Sequence, residues 1–181
     1  MVELVRPHER YRESFIAAVR ELQPEGRYTQ YSPEHLAANF PAFIRELHGY
    51  EDRANLPAHL VPETLYWLVE GDEFIGRVSL RHELNEQLRL LGGHIGYEIR
   101  PSQRRRGHGS AMLTLILPRA RERGLTRVLL TCDADNVASK KIIERHGGVT
   151  ETPYAPPGGR VAVLRYWIAL DTEAGAAATS P

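Results

Sequence analysis

Residues 93–149 read GHIGYEIR PSQRRRGHGS AMLTLILPRARERG LTRVLLTCD ADNVASKKIIERHGGV, and the changes of periodicity along them decide the fold. HIGYEIR alternates as a strand does, with His94, Gly96, Glu98 and Arg100 on one face and Ile95, Tyr97 and Ile99 on the other. The polar, glycine-containing PSQRRRGHGS follows as a turn. Met112, Leu115 and Ile116 then form one helical stripe and Leu113, Leu117 and Ala120 the adjacent one, so this helix is expected to lie largely buried. RVLLTC is continuously apolar, the mark of a strand covered on both faces. A second helix runs from about Val137 to Arg145 and closes at Gly147-Gly148. A strand, helix and strand in this order predict a crossover between parallel strands. Pro118 removes one helical hydrogen bond, to Thr114, and predicts a kink.

Working outward, a short strand around Leu4 precedes a helix with Phe15, Ile16, Val19 and Leu22 at helical spacing. Ser32-Pro33-Glu34 supplies an N-cap and a first-turn proline for another helix, which Pro41 breaks or kinks. Residues 49–62 read as a loop, and TLYWLVE and FIGRVSL flank Gly71-Asp72-Glu73 as a hairpin, followed by a connection over 82–92. Toward the C-terminus two strands surround the turn Pro156-Pro157-Gly158-Gly159, the last being RVAVLRYWIAL. The expected organisation is one domain over 1–170 and a disordered tail over 171–181, where no apolar face is present. Homodimerisation through the sheet or the last strands is expected only because symmetric dimers are common.

The chain has 181 residues, 42% of them apolar, enough for one sizeable core and short for two. Its formal net charge is zero, so no global field draws it to nucleic acid or an anionic membrane. Arg104-Arg105-Arg106 lacks the interleaved aromatics of a single-strand binder, and nucleic acid is not an expected partner. MVELVRP has no signal-peptide core and no later run is long enough to span a bilayer, which points to a cytoplasmic protein. A lone Cys132 inside an apolar strand reads as a buried structural thiol. The eight histidines show neither H-x-x-x-H nor H-E-x-x-H spacing, so no metal is expected.

Arg104-Arg105-Arg106-Gly107-His108-Gly109-Ser110 lies between strand and helix, where glycines permit a tight turn and the free N–H groups of a helix start point at an anion. It is neither a dinucleotide fingerprint, since G-x-G-x-x-G is absent, nor a P-loop, since no Gly-Lys-Ser/Thr follows. Arg104-x-x-Gly107-x-Gly109 resembles the Q/R-x-x-G-x-G/A signature of the GNAT superfamily of N-acetyltransferases, and Gly96-Tyr97-Glu98-Ile99-Arg100-Pro101 resembles the strand that precedes it. Asn136-Val137-Ala138-Ser139 resembles that family's asparagine-headed helix.

The resemblance implies an α/β (α+β) fold with a mixed, mostly antiparallel central sheet, a splayed parallel strand pair and flanking helices. It implies acetyl-CoA as cosubstrate, with the pyrophosphate on the backbone from Arg104 through Arg105, Arg106, Gly107, His108 and Gly109 to Ser110. The backbone at Ile99 would pair with the pantetheine arm, and Asn136 and Ser139 would line it, although Asn136 is also a good N-cap without any ligand. A large side chain at Gly107 or Gly109 would block the cofactor. The implied reaction is direct acetyl transfer to a primary amine of a small molecule or peptide, with a non-catalytic acyl-CoA-binding module as the alternative. The family's tyrosine acid position is Ile143 here, leaving Tyr154 or Tyr166 as distant substitutes. An ammonium acceptor must lose a proton before it attacks, so a base is needed. His94 ranks first and Glu98 second, against the plainer roles of a structural histidine and a Glu98–Arg100 pair. The N-terminal helices, the 49–62 loop and the turn near Tyr154 are expected to contact the acceptor, with Tyr28, Tyr31, Phe40, Phe43 and Tyr50 as either pocket or core.

Overall fold

The computed structural model describes residues 1–158 and 161–170. The expected tail over 171–181 and part of the Pro156–Gly159 turn lie outside the described residues. Strand β1 (Glu3–Val5) leads through a 3-10 turn into helix α1 (Arg12–Leu22), which buries Phe15, Ile16, Val19 and Leu22 as its spacing requires.

Helix α2 (Pro33–Gly49) opens on Ser32, whose hydroxyl accepts from the His35 N–H. It bends at Asn39, whose φ of −120° is non-helical, two residues before Pro41. A proline displaces the carbonyl four residues back, here Ala37, and the Arg12 guanidinium donates to that carbonyl at 2.6 Å. Strands β2 (Glu63–Glu70) and β3 (Glu73–Arg81) form the expected hairpin. The 82–92 connection contains a short helix, α3 (Glu86–Leu90), capped by Asn85. Its single turn is too short to register as a period.

Strand β4 (Ile95–Ile99) feeds the basic loop and helix α4 (His108–Glu122), which continues through Pro118. Strand β5 (Arg127–Asp133), helix α5 (Val137–Arg145), and strands β6 (Val149–Tyr154) and β7 (Val163–Ala169) complete the chain.

The strands form two antiparallel sheets, ordered β1-β2-β3-β4 and β5-β7-β6. Between β4 and β5 the expected parallel ladder is not formed among the described residues. One isolated bridge, Gly93 to Leu130, and the His94 N–H to Leu129 carbonyl bond at 2.7 Å join the sheets. Gly93 reaches this position with φ +64°, and a Cβ there would run into the Leu129 backbone. Beyond it the strands diverge, leaving the Ile95–Ile99 edge of β4 without a strand partner on the β5 side.

Each face of the first sheet is covered differently. Helices α1 and α2 bring Tyr11, Phe15, Phe40 and Phe43 onto Leu65, Trp67, Val69 and Phe74, with Phe15 stacked on Trp67 at 4.7 Å. Helix α4 packs Met112, Leu113 and Ile116 onto Leu68, Val78 and Leu80, and the same core continues to Val128, Leu130 and Tyr166 of the second sheet. One sheet thus separates two layers, and β4 lies at the margin of both.

Candidate active site

Three regions of chemistry meet on β4. The first is the loop from Arg104 to Ser110. Arg105 and Gly107 take left-handed backbone conformations, φ +61° and +83°. This winding turns successive N–H groups the same way. None of the six N–H groups from Arg105 to Ser110 donates a hydrogen bond among the described residues, and Ala111 is the first to do so, to the Gly107 carbonyl. Six unpaired donors at the start of a helix form an anion cradle. The side chains of Arg105 and Arg106 are exposed beside it. Arg104 is occupied elsewhere: its two terminal nitrogens donate to Glu25 at 2.8 and 2.7 Å, and its Nε to the Ile99 carbonyl. Arg104 therefore braces the loop against the segment after α1. Glu21 does the same from α1, accepting from Arg100 and from the Ser102 N–H. Burial raises the Glu21 carboxyl, but these donors outweigh it and hold it at about 2.

The two glycines differ in role. A Cβ on Gly107 would meet nothing within 4 Å, so this glycine serves the left-handed turn. A Cβ on Gly109 would lie 2.9 Å from Ile142 and 3.7 Å from Tyr97, so this one serves close packing of α4 on α5. A side chain at Gly109 would therefore press on the Ile142 Cδ1 tip besides crowding any ligand on the loop.

The second region is the gap between β4 and α5. Asn136 caps α5, its side chain accepting from the Ser139 N–H at 3.0 Å. The Ser139 hydroxyl is 2.9 Å from the Tyr97 hydroxyl, a contact that alternation on β4 had placed opposite Glu98 without naming its partner. Burial raises the Tyr97 phenol, and Cys132, buried on β5 nearby, is raised for the same reason. Ile143 is fully buried against Gly148, so position 143 belongs to the core, and Tyr166 is committed to Glu144 at 3.1 Å.

The third region is a cavity of about 590 Å³ on the α1/α2 face of β2 and β3. It is lined by Arg27, Tyr28 and Tyr31, by Phe43, Leu47 and Tyr50 of the second helix and its end, by Leu56 and His59 to Val61, and by Glu63, Trp67, Arg77 and Arg81. Of the five aromatics considered, Tyr28, Tyr31, Phe43 and Tyr50 line it, whereas Phe40 is wholly buried in the core. Glu98, on β4, is not itself a lining residue but touches two that are, Arg27 and Arg77. The expected Glu98–Arg100 pair is not formed: Glu98 Oε1 accepts from Arg27 Nε at 2.7 Å, and Oε2 lies 3.8 Å from Arg77 Nε, while Arg100 turns to Glu21.

His94 is elsewhere. Its Nδ1 accepts the Leu129 N–H at 2.9 Å, and its ring packs edge-on to Trp167 beside Arg89 and Arg127 in a separate shallow hollow. Burial, with the nearby arginine charges, pushes His94 down to about 4. Ranking His94 ahead of Glu98 is therefore corrected. Position 94 precedes β4, where the chain turns to bridge the sheets, and strand alternation no longer aims the side chain.

Arg77 was missed. Alternation of Arg77, Ser79 and Arg81 against Val78 and Leu80 on β3 was the available signal, since it puts charge on a face that a hairpin of this apolarity should bury.

A strand edge left unpaired between two sheets, an anion cradle at the following helix and a nearby polar cavity fit an acyltransferase. Residues 4–149 match the acetyltransferase (GNAT) domain model, and the chain belongs to this family of acyltransferases. No curated protein matches the sequence.

Among solved structures, the acetyltransferase from Salmonella typhimurium that modifies the N-terminal serine of ribosomal protein L7/L12 is 19% identical, with TM-score 0.64 over 94% of this chain and 95% of that one. The microcin C7 self-immunity acetyltransferase MccE, solved with acetyl-CoA and AMP, is 15% identical, with TM-score 0.65 over 93% and 92%. The Escherichia coli ribosomal-protein-S18-alanine N-acetyltransferase is 13% identical, with TM-score 0.57 over 99% and 100%. At these identities the likeness is one of fold. Among the described residues, no helix is long and apolar enough to cross a membrane, and no group of three or more His, Cys, Asp or Glu could hold a metal.

Proposed function

We propose that this chain transfers the acetyl group of acetyl-CoA to a primary amine by direct attack. The observation that carries the proposal is the set of six unpaired N–H groups from Arg105 to Ser110, adjoining a β4 edge that has no strand partner. The cradle suits a pyrophosphate, with Arg105 and Arg106 adding charge beside it. The open edge suits an extended amide-bearing arm such as pantetheine, which can add to a strand as a peptide does. Ile99 and the helix start at Asn136 and Ser139 border the same gap.

In this reaction the amine nitrogen bonds to the acetyl carbon, the C–S bond breaks, and CoA leaves as a thiolate. Glu98 is the proposed base, since it alone of the two candidates contacts cavity-lining residues, Arg27 and Arg77, and its Oε2 has no hydrogen-bond partner. The hydroxyl pair of Ser139 and Tyr97 is the proposed proton source for the thiolate, replacing the tyrosine that Ile143 excludes. Since a thiolate with a pKa of roughly 8.5 leaves readily, this second contribution is expected to be smaller. Holding amine and thioester together supplies much of the acceleration.

Calorimetry with CoA and thiol release from acetyl-CoA across a panel of amines test the proposal. Binding with amine-dependent thiol release is expected. Absence of CoA binding sinks it, and binding without release from any amine would favour a non-catalytic acyl-CoA module.

A further inference from the structure

The acceptor cavity contains polar groups that the protein itself leaves unmatched, and their signs specify a ligand. The side chain of Arg77, on β3, makes no hydrogen bond among the described residues and is 36% exposed to the cavity and solvent. Among the described residues its one carboxylate within 4 Å is Glu98, whose Oε2 lies at 3.8 Å, beyond hydrogen-bond length. Its guanidinium lies over the Tyr28 ring, 5.5 Å from the centroid, which restricts its plane. The Tyr28 hydroxyl is buried with no partner, and Tyr28 holds a left-handed backbone with φ +55°. Such a conformation costs about 1–3 kcal/mol in a non-glycine residue and concentrates at ligand sites. Glu98 Oε2 is likewise buried and unpartnered.

Two adjacent groups thus offer donors, the Arg77 fork and the Tyr28 hydroxyl, and a third, within 4 Å of Arg77, offers an acceptor. Buried polar atoms without partners are rare in native proteins and call for a ligand that completes them. Arg81, the other β3 arginine in this cavity, is by contrast consumed: it donates to the Gly92 and Gly93 carbonyls and faces Glu63.

We propose, resting on the acyltransferase function above, that the acceptor is a free amino acid with an aromatic or branched apolar side chain. Its carboxylate is received by Arg77 and the Tyr28 hydroxyl, and its amino group by Glu98 Oε2. Arg77 Nε and Glu98 Oε2 lie 3.8 Å apart, so a receiver for a carboxylate stands beside a receiver for an ammonium, as a ligand bearing both on one carbon requires. Bidentate guanidinium–carboxylate geometry would orient the nitrogen toward the base. Tyr31, Phe43, Leu47, Tyr50 and Trp67 line the same cavity and supply the apolar wall for the side chain. At about 590 Å³ the volume is that of a small-molecule site. A peptide N-terminus has an amide where the free amino acid has its carboxylate and would leave Arg77 unmatched.

The test uses leucine, phenylalanine and tryptophan, each beside its amide, in a thiol-release assay with acetyl-CoA. Rates are compared per unit of unprotonated amine. We expect kcat/KM for at least one acid to exceed its amide by about 30-fold, the effect of a charge-assisted pair. In Arg77→Met the ratio should fall to within about 3-fold, chiefly through KM, and Arg77→Lys should keep part of it. The same acids and amides are titrated by calorimetry without CoA, so that Arg77-dependent binding is read even where no turnover occurs. An amide that reacts as well as its acid, a ratio unchanged in Arg77→Met, or no binding and no turnover of any acid overturns the assignment. CoA titration of each variant reads the cofactor end independently, and loss there would indict the acyltransferase reading instead.

Discussion

Glu98 and His94 sit four residues apart on adjoining chain, yet their surroundings give them opposite roles. Glu98 has one oxygen tied to Arg27 and one unpartnered beside Arg77, so Glu98→Gln should lower kcat by about 100-fold or more while leaving CoA affinity intact, as thiol release and calorimetry would record. His94 instead holds the Leu129 N–H across the junction of the two sheets. His94→Ala should cost about 1–3 kcal/mol in denaturant unfolding by orphaning that donor. The pH dependence has a definite sign. His94 is held at about 4, below its ordinary 6.5, so the unfolded chain binds the proton first and stability falls as pH drops from about 6.5 toward 4. The full effect is roughly 3 kcal/mol, and it should vanish in His94→Ala when unfolding is followed across that range. Nothing in residue type separates these two sites. A histidine and a glutamate near a glycine motif are equally plausible bases until their partners are known.

The basic loop and α4 act as one element. Its left-handed turn at Gly107 is open to solvent, so Gly107→Ala brings strain without collision, about 1 kcal/mol or somewhat more, whereas Gly107→Asn should recover part of it because asparagine tolerates this region. CoA affinity should follow the same order, glycine over asparagine over alanine, because the turn aims the N–H groups. Gly109→Val is a different lesion. It forces α4 away from Ile142 and should lower thermal stability in the absence of any CoA, which separates packing from cofactor obstruction. Periodicity made α1, α2 and α4 legible through their buried stripes, and α5 was legible from its Asn136 cap and Gly147-Gly148 stop. It could not show α3, only five residues long, nor that α4 runs through Pro118.

At the scale of the molecule, two sheets meet at Gly93–Leu130 and diverge along β4. A ligand lying in that divergence would touch both, so CoA should slow hydrogen exchange along Ile95–Ile99 and in the first turn of α4 together. At 100 times its Kd it should also raise unfolding free energy by about 2.7 kcal/mol. Protection confined to the α4 turn would show that the β4 edge does not take part. The braces Arg104–Glu25 and Arg100–Glu21 tie the cradle to the segment carrying Arg27 and Tyr28, so the cofactor loop and the acceptor wall share a support.

The order of elements, the glycine turn at the head of α4 and the Asn136 cap were determined by sequence alone, because each follows from local periodicity and local backbone preference. The hairpin of β2 and β3 and the buried Cys132 were legible for the same reason. Tertiary structure alone decided that Glu98 rather than His94 contacts the lining residues Arg27 and Arg77, that Arg104 is a brace and that Gly109 packs against Ile142. It also decided that Arg77, Tyr28 and Glu98 converge although 28 and 98 lie on elements far apart in the chain. Such meetings depend on how sheets splay and which side chains already hold one another, and no window of neighbouring residues contains that information.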